Sequence, residues 1–151
     1  MENLFDQKDK EGLLQRLAKL NQNLEGKWGT MNINQMIVHL ADPFRVALGD
    51  REVPYYPSEF GEPPLNIQVS QFAPWPQNSP TAPDFKQGVK GTLPTEFNSD
   101  LQALLSLMDR FTKHDNSNPF PLHPAFGKLT NEQWGRLMWR HVDYHLNQFG
   151  V

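Results

Sequence analysis

Between Arg51 and Pro94 the chain carries nine of its 13 prolines, at positions 54, 57, 63, 64, 74, 76, 80, 83 and 94. A proline lacks a backbone donor and breaks the interior of a helix or of a central strand. No long regular element therefore crosses this stretch, and the core must come from the chain on either side of it. Both flanks have helical periodicity. Leu13, Leu14, Leu17 and Leu20 recur at spacings of three and four, which predicts an amphipathic helix over 8–22. A second helix starts near Asn32, where Asn32 and Gln35 have the spacing of a capping box. Met36, Ile37, Leu40, Phe44, Ala47 and Leu48 supply its apolar face, and Gly49 is its stop. Pro43 falls inside it and either kinks the helix or opens a new short one capped by Asp42. Both arrangements bend the chain just after His39.

The third helix is expected over 96–113, with Phe97, Leu101, Leu104, Leu105, Met108 and Phe111 as its buried stripe. The fourth opens at Thr130, which forms a second capping box with Gln133, and runs to about Phe149. Within the proline-rich stretch, "LNIQVSQF" alternates in the manner of one short strand. Tyr55, Tyr56, Phe60, Phe72, Trp75 and Phe85 are aromatic anchors, so the loop should pack on the domain. Four helices with one long crossover predict an all-α chain, a single domain over 1–151 built as a four-helix up-down bundle, with 51–94 as a loop within it.

Composition narrows the function classes. The chain has no cysteine, which excludes disulfides, thiolate metal sites and a catalytic cysteine, and fits a cytoplasmic protein. Its net charge is −3 and its 14 Lys and Arg are scattered, so no basic stripe is laid out for nucleic acid. No apolar run approaches the roughly 20 residues that span a membrane, and the N-terminal stretch lacks the pattern of a secretory signal.

The chemistry-bearing residues are histidines. His141 and His145 stand four apart on the fourth helix, about 40° apart around its axis and about 6 Å along it. Two imidazoles so placed can converge on one metal ion, as in zinc-binding helices. They can equally be two polar residues near a helix end, where cations suit the dipole. The apolar company favours the first reading: Trp134, Leu137, Met138, His141, His145 and Gln148 share one stripe, so the imidazoles face the interior and need partners there. His39, between Met36 and Pro43 on the second helix, is the natural third ligand. Asp42 either orients an imidazole or caps a helix. Asp143 should point away into solvent, His114 lies in a polar run, and His123 suits a loop contact. A zincin is excluded because Val142 stands where the general-base glutamate belongs, and a di-iron bundle because Glu-x-x-His is missing. Three nitrogen ligands suit zinc, nickel, copper or iron(II), with a coordination position left open.

"WGTMNINQMIVHLAD" followed by a late "HxxxH" resembles the DinB-like superfamily, four-helix bundles that hold a metal through three histidines. The closing run "HPAFGKLTNEQWGRLMWRHVDYHLNQFGV" and "RVALGDR" (45–51) are similar to one bacterial branch of it whose members are uncharacterised. The resemblance covers about residues 28–51 and 122–151. It implies His39, His141 and His145 as metal ligands, with Tyr144 standing where that branch often has another histidine. Relatives include thiol-dependent transferases, isomerases and proteins described as metal-dependent hydrolases. The resemblance thus implies a metal-dependent enzyme of thiol-transferase or hydrolase type, loaded with zinc, nickel or iron. Its substrate would be a small molecule such as a low-molecular-weight thiol. Asp42 and Tyr144 are the candidate catalytic groups. The alternative expectation is a non-catalytic bundle without bound metal, binding a small ligand or serving as a stress-response homodimer.

Overall fold

The computed structural model describes residues 1–151 and is all-α. Helix α1 spans Gln7–Leu17, α2 Ile33–Ala47, α3 Leu65–Ile67, α4 Phe97–Thr112 and α5 Asn131–Gln148. No strand forms, and one isolated backbone bridge joins His123 to Gly127. No helix is long and apolar enough to cross a membrane.

The local start signals work as their chemistry requires. Asn32 accepts from the Gln35 backbone N–H while the Gln35 side chain accepts from the Asn32 N–H, and Thr130 and Gln133 repeat the arrangement on α5. Asp6 caps α1 and Glu96 caps α4 in the same way, each side chain accepting orphan N–H groups of the first turn. Helix α1 stops at Leu17, earlier than the periodicity suggests, although Leu20 is still buried in the turn that follows.

Helix α2 is unbroken through Pro43, so no new helix opens there and Asp42 is not a cap. An interior proline costs about 3 kcal/mol. Met36, Ile37, Leu40 and Phe44 on the same helix are all fully buried, each contributing about 1.5–3 kcal/mol of burial. Packing therefore outweighs the local penalty. Helix α2 packs on α4 and α5, and α5 on α1. A column of rings runs through the core, with Phe5 on Phe111 at 5.3 Å, Phe111 on Phe120 at 4.7 Å and Phe120 on Trp134 at 5.8 Å.

The proline-rich stretch packs on this scaffold, but not as expected over 65–72. The residues there form α3 continued by a π-helical turn over Gln68–Phe72, not a strand. The alternation misleads because the side chains that turn inward are polar. Asn66 donates to the Phe126 carbonyl and Gln71 to that of Gln133, whereas Phe72 is exposed. The carbonyls that end the turn are held from α5. Arg140 donates to those of Val69, Ser70 and Ala73, and Arg136 to that of Gln71, as cations do at a helix C-terminus. Of the six aromatic anchors only Phe85 is buried; Tyr55, Tyr56 and Trp75 are half-buried, and Phe60 joins Phe72 in solvent.

Candidate metal centre

The contact between α2 and α5 brings His39, His141 and His145 together. Their ring centroids lie 4.8–5.0 Å apart, each pair close to perpendicular. One ring nitrogen from each lies within 4.8 Å of the other two, an arrangement that can hold a metal ion. His39 Nε2 and His141 Nε2 are 3.1 Å apart. Tetrahedral ligands at about 2.0–2.1 Å from an ion stand about 3.3 Å from one another, so this pair is already at ligand spacing and the third imidazole has about 1.5 Å or less to close.

The partners of the other ring nitrogens decide which protons these rings carry. Gln148 Nε2 donates to the Trp28 carbonyl at 2.8 Å, which turns its Oε1 toward His145 Nδ1 at 2.7 Å. An amide oxygen only accepts, so His145 is protonated on Nδ1 and bare on Nε2. His39 Nδ1 donates to the Phe85 carbonyl at 3.0 Å for the same reason, leaving its Nε2 bare. Backbone or side-chain acceptors on the remote nitrogen are what fix a ligand tautomer at metal sites. His141 Nε2 therefore either donates its proton to His39 or shares a cation with it.

Burial holds all three imidazoles neutral near pH 7, the state a ligand requires. It lowers the pKa of His39 against smaller upward effects from the Phe85 carbonyl and the Asp42 charge. It lowers His145 to about 3, helped by repulsion from His39. His141 goes well below the ordinary value, first by burial and then by the charges of His145 and His39. Three neutral nitrogens with no thiolate fit zinc, nickel, copper or iron(II).

The other sequence candidates fall elsewhere. Asp42 is fully buried but bonds no imidazole. Its carboxylate takes Arg45 at 2.9 Å, Arg51 at 2.6 Å, and the Thr92 N–H and hydroxyl at 3.0 and 2.5 Å. It clamps the two ends of the long loop to α2, and its only effect on the triad is through its charge. Tyr144 donates its hydroxyl to the Pro76 carbonyl at 2.9 Å and stands edge-on to His145 at 5.0 Å, so it walls the site rather than offering a proton to it. Asp143 does point away from the histidines, yet it is not simply solvated, because it pairs with Arg16 of α1. His123 is a loop contact, its Nδ1 accepting from the Ala125 and Phe126 N–H groups at 3.1 Å. His114 stacks on Phe120 at 4.1 Å.

The sequence marked Phe85 and Trp75 as aromatic anchors of the loop, but not the separate role each takes at the triad. Phe85 acts through a backbone carbonyl, which leaves no trace in residue type. Trp75 brings its ring to 6.4 Å from His141 and 5.9 Å from Tyr144, closing the triad on the loop side. Gln148 was visible on the α5 stripe, one turn from His145, but its role was not. A separate groove of about 740 Å³ opens beside Tyr55, Asn66 and the start of α5. It shares no residue with the triad, and Gln133, its last residue on α5, lies about 12 Å along the axis from His141.

The model of a family described as "Protein of unknown function (DUF1569)" matches residues 65–150. The match takes in Phe85, His141, His145 and Gln148 and ends short of α2 and His39. No curated protein and no solved structure matches the chain.

Proposed function

The chain belongs to the DUF1569 family, whose description carries no activity, and from the histidine triad we propose a metal-dependent enzyme of thiol-transferase or hydrolase type. The observation that carries the reading is the tautomer control: Phe85 and Gln148 hold two imidazoles with bare Nε2 atoms toward a common point. A pair of core histidines needs no such arrangement to be satisfied. The likeness to DinB-like four-helix bundles, carried by the motifs around His39 and His141, supports the same reading, and the lack of cysteine fits a cytoplasmic setting.

A bound divalent ion lowers the pKa of a coordinated thiol or water and so supplies a nucleophile at neutral pH. The chain's own residues then do three things. His39, His141 and His145 fill three positions and leave room for a fourth ligand. Trp75 and Tyr144 exclude water from the loop side. Asp42, its charge met by Arg45 and Arg51, clamps the ends of the loop to α2 one turn from His39. No carboxylate is free to act as a base beside the triad, because Asp42 is fully engaged. That favours a thiol over water as the activated group, since a coordinated thiol is deprotonated without a base.

Cobalt-substituted protein tests this. Adding a low-molecular-weight thiol should produce a sulfur-to-cobalt charge-transfer band that His145→Ala abolishes. Absence of the band with a panel of thiols, alongside ester hydrolysis by the metal-loaded enzyme, would transfer the assignment to water. A second reading, a metal-free small-ligand bundle, has the 3.1 Å His39–His141 contact in its favour, because a single N–H···N hydrogen bond also satisfies it.

A further inference from the structure

We infer that a second pocket, beside the triad and lined by Trp75, Arg136, Trp139, Arg140, Asp143 and Tyr144, binds the anionic group of a small molecule, a carboxylate or a phosphate. The pocket is an open cleft of about 210 Å³. That is room for an anionic head and a short flat stem.

Arg136 and Arg140 stand one turn apart on α5, and neither forms an ion pair. Arg140 is held only by hydrogen bonds to the carbonyls of the π-helical turn, which carry no charge to balance its own. The local acids do not supply the missing charge. Asp143 spends one oxygen on Arg16 and the other on Asn147, and Glu2 at the rim pairs with neither arginine. Two adjacent, half-buried cations without a counter-ion repel each other, and a bound anion relieves that repulsion.

One donor of the pair is also unused. Arg136 Nε donates to the Gln71 carbonyl, but its Nη1 is buried without any partner. Buried donors are almost always satisfied, so this guanidinium keeps hydrogen-bonding capacity that the protein itself leaves unused. The walls supply the rest. Trp75 has the Arg140 guanidinium 4.7 Å from its ring centroid, and Trp139 and Tyr144 add aromatic surface for a flat stem. Trp75 also faces His141, so it is a wall common to this pocket and the triad. The inference rests on α5 and the loop alone and holds whether or not the triad carries a metal.

The test is an NMR titration of the intact chain as purified, its metal content measured in the same sample, with sodium benzoate and with neutral benzamide at equal ionic strength. Four tryptophans give four indole N–H signals, and only Trp75 and Trp139 line the pocket. Benzoate should move those two signals saturably while benzamide leaves them in place, and Arg136→Gln should weaken benzoate by about tenfold or more. Arg136→Lys should still shift the Trp75 and Trp139 signals with inorganic phosphate but lose the response to benzoate, because only the guanidinium fork is bidentate. Equal shifts with benzamide, shifts that never saturate, or an Arg136→Gln variant within twofold of wild type would overturn the assignment. If Arg136→Gln does not fold, the wild-type contrast between benzoate and benzamide decides alone. A sample without metal that still binds benzoate keeps this pocket and removes the metalloenzyme reading; one with metal and no benzoate response does the reverse.

Discussion

Replacing Gln148 by Leu removes the one side chain that both fixes the His145 tautomer and ties α5 to the segment before α2. Leucine keeps much of the volume but neither accepts from His145 Nδ1 nor donates to the Trp28 carbonyl. Gln148 and His145 are 3% and 7% exposed, so water cannot readily replace the lost acceptor. A buried donor left unsatisfied costs about 1–3 kcal/mol. The Trp28 carbonyl belongs to a half-buried residue and regains some solvent, so the total should be about 2–4 kcal/mol. In a domain of this size that lowers Tm by roughly 5–15 °C. The metal-site consequence is larger in relative terms. His145 loses the partner that holds its Nε2 bare and aimed, and zinc affinity should fall about 10–100-fold. Gln148→Glu keeps an acceptor toward Nδ1 and should recover most of that affinity without recovering the Trp28 bond. Zinc competition against a chromophoric chelator, run beside urea melts of the chelator-treated proteins, separates the two effects. A Gln148→Leu variant that binds zinc within twofold of wild type would refute the tautomer argument.

Three further perturbations probe other parts of the account. Gly29 has φ +79°, and a Cβ there would sit 2.6 Å from Gln148 Nε2, so Gly29→Ala should cost about 1–3 kcal/mol in urea melts and weaken zinc, whereas unchanged zinc affinity would detach this turn from the site. His123 and His145 titrate near 3 in the folded metal-free protein, below the ordinary 6.5, so the unfolded chain binds more protons between those values and stability, full above pH 6.5, falls as pH drops. The loss should reach about 2 kcal/mol per imidazole by pH 5, and equal urea midpoints at pH 7 and 5 would contradict it. Asp42→Ala leaves Arg45 and Arg51 without their buried carboxylate and should destabilise by about 3–5 kcal/mol while metal content stays at the wild-type level; loss of metal with an intact fold would instead make Asp42 part of the centre.

The residues show which parts of this were legible in the chain. Caps are local chemistry, so Asn32 with Gln35 and Thr130 with Gln133 declared two helix starts within four residues each. The triad was legible because His39 and His141 each sit among apolar neighbours on a helix, which dictates their facing before any tertiary contact is known. Asp42 was not, because Arg51 and Thr92, which claim its carboxylate, arrive from a loop whose path no periodicity encodes. The π-helical turn over Gln68–Phe72 was hidden for a related reason. Its inward residues are polar and its stability comes from Arg136 and Arg140, more than 60 positions later.

Metal content tests the central claim most directly: elemental analysis of untagged wild type purified without chelator, beside His141→Ala with its helical circular dichroism checked. The triad predicts close to one transition-metal ion per chain in the wild type and none in the variant, with the helical signal unchanged. A wild type that is metal-free and takes up no zinc, nickel or iron on soaking would leave His39, His141 and His145 as core histidines joined by a hydrogen bond.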